Sequence, residues 1–302
     1  MDFRELSYVM AIAKHKNITK AAESLYLTQP TLSKFLKTLE AEVGQPLFRR
    51  LGNKYIPTYA GERYIERSRE ILQMKKELDQ EMGDIISKNE GVLKIGFPAM
   101  RGTYMLPCTL PVFRSLYPEV RIIIREENTG DLVRLIQEGE IDLAFFNRFQ
   151  SDKNIDYTVM SHEELLLVVS RENPLSQMGV KMRGCKYPHM DLRLLSDQKV
   201  IMQVPGQRTR EITDRLFKSA GIEPRIILET SNIQAEAELA ARNFGVCFIT
   251  ETHLKHMACG DKLALFSVGK PNTTVDFVAA YRMNSYIPYH AQEYMKIVKD
   301  FT

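Results

Sequence analysis

Residues 18–34 read Ile18-Thr19-Lys20-Ala21-Ala22-Glu23-Ser24-Leu25, then Tyr26-Leu27, then Thr28-Gln29-Pro30-Thr31-Leu32-Ser33-Lys34. Two short helices fit this stretch. Asn17 is a good N-cap for the first, and Ala21 and Ala22 are small enough to let a neighbouring helix come close. Tyr26 and Leu27 make the turn. Thr28 can cap a second helix that opens on Gln29-Pro30, where proline is tolerated because first-turn N–H groups have no internal partner. Leu32, Phe35, Leu36 and Leu39 form its core side, and Thr31, Ser33, Lys34 and Lys37 stay polar. Upstream, Phe3, Leu6, Met10 and Ala13 share one face of a helix from Phe3 to about Lys14. Downstream, after Leu47-Phe48-Arg49-Arg50, Gly52-Asn53 is a hairpin signal between Phe48–Leu51 and Lys54–Ile56. Three helices and a basic hairpin describe a winged helix-turn-helix, with a plain helical packing domain as the alternative.

Charge points the same way. Residues 1–58 hold nine Lys/Arg against five acids, residues 59–88 six against seven, and the remainder is balanced, although the whole chain is only +3. The positive excess sits on the helix-turn-helix, which favours a polyanionic partner there.

The motif Ile18 to Leu25, the run Thr28 to Lys34, and Leu39-Glu40, Gly44, Leu47-Phe48, Arg50, Thr58 and Ala60-Gly61 together resemble the DNA-binding domain of LysR-type transcriptional regulators. The resemblance implies that the helix opening at Gln29-Pro30 enters the major groove of double-stranded DNA and that the hairpin touches backbone or minor groove. It places Gln29, Pro30, Thr31, Ser33, Lys34 and Lys37 toward DNA, with Arg49, Arg50, Asn53 and Lys54 on the wing. The family often has arginine where Lys34 stands, and lysine lacks the bidentate fork that reads a base edge.

Thr58 can cap a long helix from about Tyr59 to Lys88, stopped by Asn89-Glu90-Gly91. Ile71, Met74, Leu78, Met82 and Ile85 fall near a 3.5-residue repeat among charged neighbours, a narrow seam that asks for a partner helix. The simplest partner is the same helix of a second copy, and the family pairs through such a linker. A homodimer is expected, with a homotetramer left open.

From Gly91 the pattern alternates: strands at 92–97, 120–124, 141–146, 165–169, 199–203, 225–229, 246–249 and 274–281, and helices at 104–117, 131–138, 209–220, 233–242 and 288–299. Two such series imply two α/β lobes with largely parallel sheets, the last strand and helix returning to the first. Leu93-Lys-Ile-Gly96, Leu106-Pro107, Tyr117-Pro118, Glu138-Gly139, Ile141-Asp142-Leu143-Ala144 and Phe244-Gly245-Val246 resemble the effector-binding domain of the same family, which has the type 2 periplasmic-binding-protein fold. The fold expected is therefore multidomain: winged helix-turn-helix 1–58, linker helix 59–88, effector lobe 1 at 91–162 with 268–302, and lobe 2 at 163–267.

Ligands of open α/β sheets bind where strand ends meet helix starts, and the resemblance puts the effector between the lobes. Ala99, Met100, Arg101, Gly102 and Thr103 follow the first strand, Asn128 and Thr129 the next, and Asn147 the third. Gln203, Gln207, Ser231 and Asn232 hold the equivalent positions in the second lobe. Helix starts favour an anion, so a small organic anion is the expected effector, with Arg101 as charge partner or as a surface arginine. Met100 stands where the family often has a hydroxyl.

No catalytic residue is expected: GxSxG, GxxxxGK and GxGxxG are all missing. No cofactor and no metal are expected either, although His253, His256 and Cys259 are spaced three apart and, on one helix face, raise the zinc question. Asp142 reads as a capping or solvated carboxylate. Cys108, Cys185, Cys247 and Cys259 show no CxxC, so a disulfide scaffold is not expected. A redox-sensing regulator, or a DNA-binding regulator without an effector, stays as the alternative. The longest apolar run is about six residues, Tyr8 to Ala13, against the roughly 20 needed to span a bilayer, and Asp2, Arg4 and Glu5 break any signal peptide. No membrane contact and a cytoplasmic location follow as expectations.

Overall fold

The computed structural model describes residues 2–86, 90–148 and 150–302, without the side chain of Ile85. The chain forms two compact units, Met1–Ile86 and Ser87–Thr302.

The first unit is three helices, α1 (Phe3–His15), α2 (Ile18–Ser24) and α3 (Gln29–Val43), a hairpin of β1 (Phe48–Leu51) and β2 (Lys54–Pro57), and a long α4 (Tyr59–Ile86). Local capping explains the starts. Asp2 and Glu5 form a reciprocal capping box on α1. Asn17 Oδ1 accepts from the N–H groups of Thr19 and Lys20 at 3.0 and 3.1 Å. Val9, Ile12, Ala21, Ala22, Leu32, Leu36, Leu39 and Leu47 close the core, which the first turns of α4 join through Ile65. Gly61 is required there, because a Cβ at this position would meet the Leu47 carbonyl oxygen at 1.8 Å. Further along α4, Ile71 is half-buried while Met74, Leu78, Met82 and Ile86 are exposed. The expected helix end at Lys88, and Asn89 beyond it, lie outside the described residues, as does the Ile85 side chain.

The second unit runs β3 (Glu90–Phe97), α5 (Ala99–Leu116), β4 (Glu119–Glu126), α6 (Thr129–Gln137), β5 (Leu143–Arg148) and β6 (Ile155–Ser170), then β7 (Lys199–Gln203), α7 (Arg208–Ala220), β8 (Arg225–Thr230), α8 (Ile233–Ala241), β9 (Cys247–Thr250), α9 (Glu251–Lys255) and β10 (Leu263–Ser267), and last β11 (Thr274–Arg282) and α10 (Tyr289–Asp300). β3 pairs in parallel with β4 and β5, and β11 lies antiparallel between β5 and the first half of β6. The second half of β6 pairs antiparallel with β9 and β10, while β7 and β8 make a separate parallel pair. One lobe buries Phe97, Phe113, Phe145, Phe277 and Tyr294, and the other Leu167, Phe217, Phe248 and Phe266.

The sheets are mixed where largely parallel ones were expected, β10 and α9 have no counterpart in the sequence reading, and two further elements differ from it in extent. β6 is one strand of 16 residues shared by both lobes, where only residues 165–169 read as strand. Helix α5 starts at Ala99, so 99–103 form its opening turns and not a loop. Gly102 is helical and buried within these turns, and a Cβ there would sit 2.9 Å from Oε1 at the tip of the exposed Glu126 side chain, which has room to move aside. Among the described residues no helix is long and apolar enough to cross a membrane.

Candidate DNA-binding and effector sites

In the first unit the turn between α2 and α3 is tight. Tyr26 takes a left-handed φ of 55°, and the Leu27 N–H donates to the Ala22 carbonyl at 2.9 Å. Thr28 Oγ1 caps α3 by accepting from the Thr31 N–H at 3.4 Å, and the two threonine hydroxyls are 2.8 Å apart. Gln29, Pro30, Thr31, Lys34 and Lys37 are exposed along α3, and Ser33 is half-buried. Arg49, Arg50, Asn53 and Lys54 are exposed on the β1–β2 hairpin, and Arg50 Nε donates to the Gly52 carbonyl at 2.9 Å. One contributor escaped sequence reading. Glu40 Oε1 accepts from the N–H groups of Leu47 and Phe48 at 2.7 and 3.0 Å, which pins the end of α3 to the start of the wing.

In the second unit a cavity of about 90 Å³ gathers the openings of four helices. Pro98, Met100 and Arg101 come from α5, Asn128 and Thr129 from α6, Gln207, Arg208 and Thr209 from α7, and Ile233 from α8. Asn147, Gln203, Thr250 and His253 complete it. Of the residues read from sequence, Met100, Arg101, Asn128, Thr129, Asn147, Gln203 and Gln207 line this cavity. Ala99, Gly102, Thr103, Ser231 and Asn232 do not. Ala99 and Thr103 are exposed, with the Thr103 hydroxyl donating to the Ala99 carbonyl at 3.0 Å, and Gly102 is buried against Glu126. Asn232 spends its Oδ1 capping α8 on the Ala235 N–H at 3.0 Å, and the Ser231 carbonyl accepts from Gln207 Nε2 at 3.5 Å.

Arg101 is neither a surface residue nor an unmatched charge. It is 1% exposed, and its guanidinium donates to both oxygens of Glu163 at 2.7 and 2.8 Å, to Asn147 Oδ1, and stacks over Phe277 at 4.2 Å. Asn147 Nδ2 adds a bond to Glu163 at 2.8 Å. Burial alone raises the Glu163 carboxyl, but the Arg101 bonds outweigh it and hold the group at about 2. Burial, then the Arg101 charge, pushes the His253 imidazole down to about 3, so His253 is neutral and shares a 2.6 Å hydrogen bond with Thr250 Oγ1. Arg208 is matched by Asp152 at 3.3 Å. The cavity's side-chain charges are thus paired, and the positive ends of four helices are what it offers an anion. Behind Gln203 lies Glu236, 1% exposed, whose Oε2 faces Gln203 Nε2 at 3.4 Å; burial raises this carboxyl to about 8.

The zinc question resolves into three separate environments. α9 has only five residues, His256 stacks on Tyr104 with ring centres 4.2 Å apart, and Cys259 is buried in a loop. Among the described residues no group of three or more His, Cys, Asp or Glu is placed to hold a metal ion. All four cysteines are free; burial pushes the Cys247 and Cys259 thiols up, which disfavours the reactive thiolate. Asp142 accepts from the Lys94 N–H at 2.8 Å.

Comparison with known proteins gives the site its context. Residues 3–62 match the model of the bacterial regulatory helix-turn-helix proteins of the lysR family, and residues 87–302 match the LysR substrate binding domain. The uncharacterized HTH-type transcriptional regulator YcgK of Bacillus subtilis (strain 168) is 28% identical over 316 residues, covering 99% of this chain and 94% of that one. A full-length OxyR variant from Pseudomonas aeruginosa superposes with a TM-score of 0.70 at 20% identity, over 99% of this chain and 94% of its own. Full-length CbnR complexed with its target DNA superposes with a TM-score of 0.60 at 22% identity over the whole of both chains. The chain belongs to the LysR family: it is a DNA-binding transcription regulator with an effector-binding domain, and not an enzyme.

Proposed function

We propose that this regulator reads operator DNA with the opening turns of α3 and the β1–β2 wing, and that a small organic anion in the cleft of its effector domain changes that activity. The convergence of four helix N-termini on one cavity carries the effector reading, because backbone N–H groups and helix dipoles there favour negative charge without a dedicated cation. Arg101 acts on the ligand through Asn147 and the cavity wall. Lobe 1 comprises residues 91–162 and 268–302 and lobe 2 residues 163–267, a division supported by β6 changing partners from β11 to β9 between Glu164 and Leu165. The regulator works in the cytoplasm, where its DNA is.

The test measures operator and random-DNA affinity with and without a panel of mono- and dicarboxylates. Gln29→Ala should cut the ratio of specific to random binding about tenfold, the size of one lost base contact. Lys54→Ala should weaken all sequences alike and lower the salt slope by about 1. Thr129→Val should weaken the responding carboxylate roughly three- to tenfold at unchanged operator affinity, as for one lost hydrogen bond. An unchanged ratio in Gln29→Ala removes α3 from the recognition role, and a panel without a responding anion removes the effector reading.

The unpartnered seam of α4 supports assembly as a homodimer through the linker, with a tetramer as a further step, because Met74, Leu78 and Met82 expose apolar side chains on a polar helix. Ile71→Glu combined with Leu78→Glu should convert the particle to monomer in sedimentation and cost at least about tenfold in operator affinity, since two half-sites are no longer held together.

A further inference from the structure

We infer that the effector is a short aliphatic hydroxy acid, with its carboxylate at the openings of α5 and α7 and its hydroxyl donating to the side-chain oxygen of Gln203. The inference rests on the anion reading of the cleft and names the second group that the molecule must carry.

Most polar side chains of the cavity wall are already spent. Asn147 gives Oδ1 to Arg101 and Nδ2 to Glu163, Asn128 gives Oδ1 to the Asp131 N–H, and Thr250 Oγ1 is shared with His253. Gln203 differs. It lines the cavity at only 4% exposure, and its Nε2 is turned into the protein, toward Glu236 Oε2 at 3.4 Å. Its Oε1 accepts from none of the described residues and, unlike Gln207 Oε1, is not sealed away from an entering molecule. An amide oxygen in that position asks for a donor.

Helix caps position the other end. The side chains of Asn128 and Asn232 cap α6 and α8, whereas α5 and α7 begin at Pro98 and Gln207 without a side-chain cap. First-turn N–H groups of α5 and α7 are therefore the ones left for a carboxylate. Charge then selects the donor. Glu163 is matched by Arg101 and Asp152 by Arg208, and burial keeps the proton on Glu236, whose carbonyl oxygen still serves Gln203. An ammonium group would meet no open carboxylate, so the donor is a hydroxyl. Size limits the carbon chain. The cavity measures about 90 Å³, below the roughly 150 Å³ that holds benzene, which suits about three or four carbons and not a ring.

Calorimetry on the full chain tests this with matched acids: lactate, pyruvate, propionate and alanine, then 3-hydroxybutyrate, acetoacetate and butyrate. The hydroxy acid of one set should bind about tenfold tighter than its keto, amino and unsubstituted counterparts, as for one hydrogen bond. Gln203→Met should bring that hydroxy acid down to the level of the unsubstituted acid and leave the latter unchanged. The wild-type ranking decides alone if this variant does not fold. A keto acid equal to or tighter than its hydroxy acid would mean that Gln203 turns Nε2 to the ligand, and overturns the inference. So does a hydroxy acid no tighter than its unsubstituted counterpart. A response confined to other carboxylates overturns the hydroxy acid and leaves the anion reading standing, whereas silence from every anion removes both.

Discussion

Glu163→Ala should destabilise the effector domain by about 3–5 kcal/mol, the cost of leaving one member of a buried ion pair without its partner. The Arg101 guanidinium is then a desolvated charge left facing Asn147 and the rings of Phe277 and Tyr104, with no carboxylate. Urea unfolding of the full chain followed by circular dichroism measures this. Replacing both partners together, Arg101→Met with Glu163→Leu, should recover most of the loss, because no uncompensated charge remains. A loss below about 1 kcal/mol in Glu163→Ala would mean that water reaches the pair. The pH dependence has a definite sign. The Glu163 carboxyl is held at about 2, below its ordinary value near 4.5, so its contribution is fully present above that ordinary value and is lost as pH falls toward 2.

Glu236→Gln should act in the opposite sense and stabilise the domain by about 3 kcal/mol at pH 7. The wild-type carboxyl titrates at about 8 when folded and near 4.5 when unfolded. Between those values the unfolded chain releases this proton and the native chain keeps it, so wild-type stability falls as pH rises from about 4.5 to about 8. Glutamine retains the shape and an acceptor for Gln203 without the ionisation. Denaturation midpoints taken from pH 5 to 8.5 should therefore slope less in Glu236→Gln than in wild type. Parallel slopes would show that Glu236 is already ionised in the native state.

What the sequence disclosed was what short-range chemistry encodes. Asn17, Thr28 and the Gln29-Pro30 opening define α2 and α3 through caps that act within three residues, and the Gly52-Asn53 turn likewise defines the wing. Long-range pairing was hidden. Arg101 and Glu163 are 62 positions apart, and nothing local marks Glu163 as the acid that meets Arg101 at the crossing of the lobes. The first half of β6 escaped because its alternation is interrupted: Ser161 pairs with Phe277 and Val159 with Val278, so Met160 is an extra residue that bulges and shifts the side-chain pattern. The spacing of His253, His256 and Cys259 suggested a shared face, but α9 ends at Lys255 and separates them. For the cleft, strand ends and helix starts were readable as places, while which side chains turn inward depended on burial that no local pattern records.

The continuity of β6 also decides how the effector domain comes apart. Its first half is laddered to β11 and its second half to β9 and β10, so neither sheet can be stripped away without exposing the backbone of the other's neighbouring strand. The two lobes are therefore expected to open as one cooperative unit, with the amide protons that β6 commits to its ladders with β11, β9 and β10 exchanging through the same rare event. Motion between the lobes short of that event has to be absorbed as twist along a single hydrogen-bonded spine.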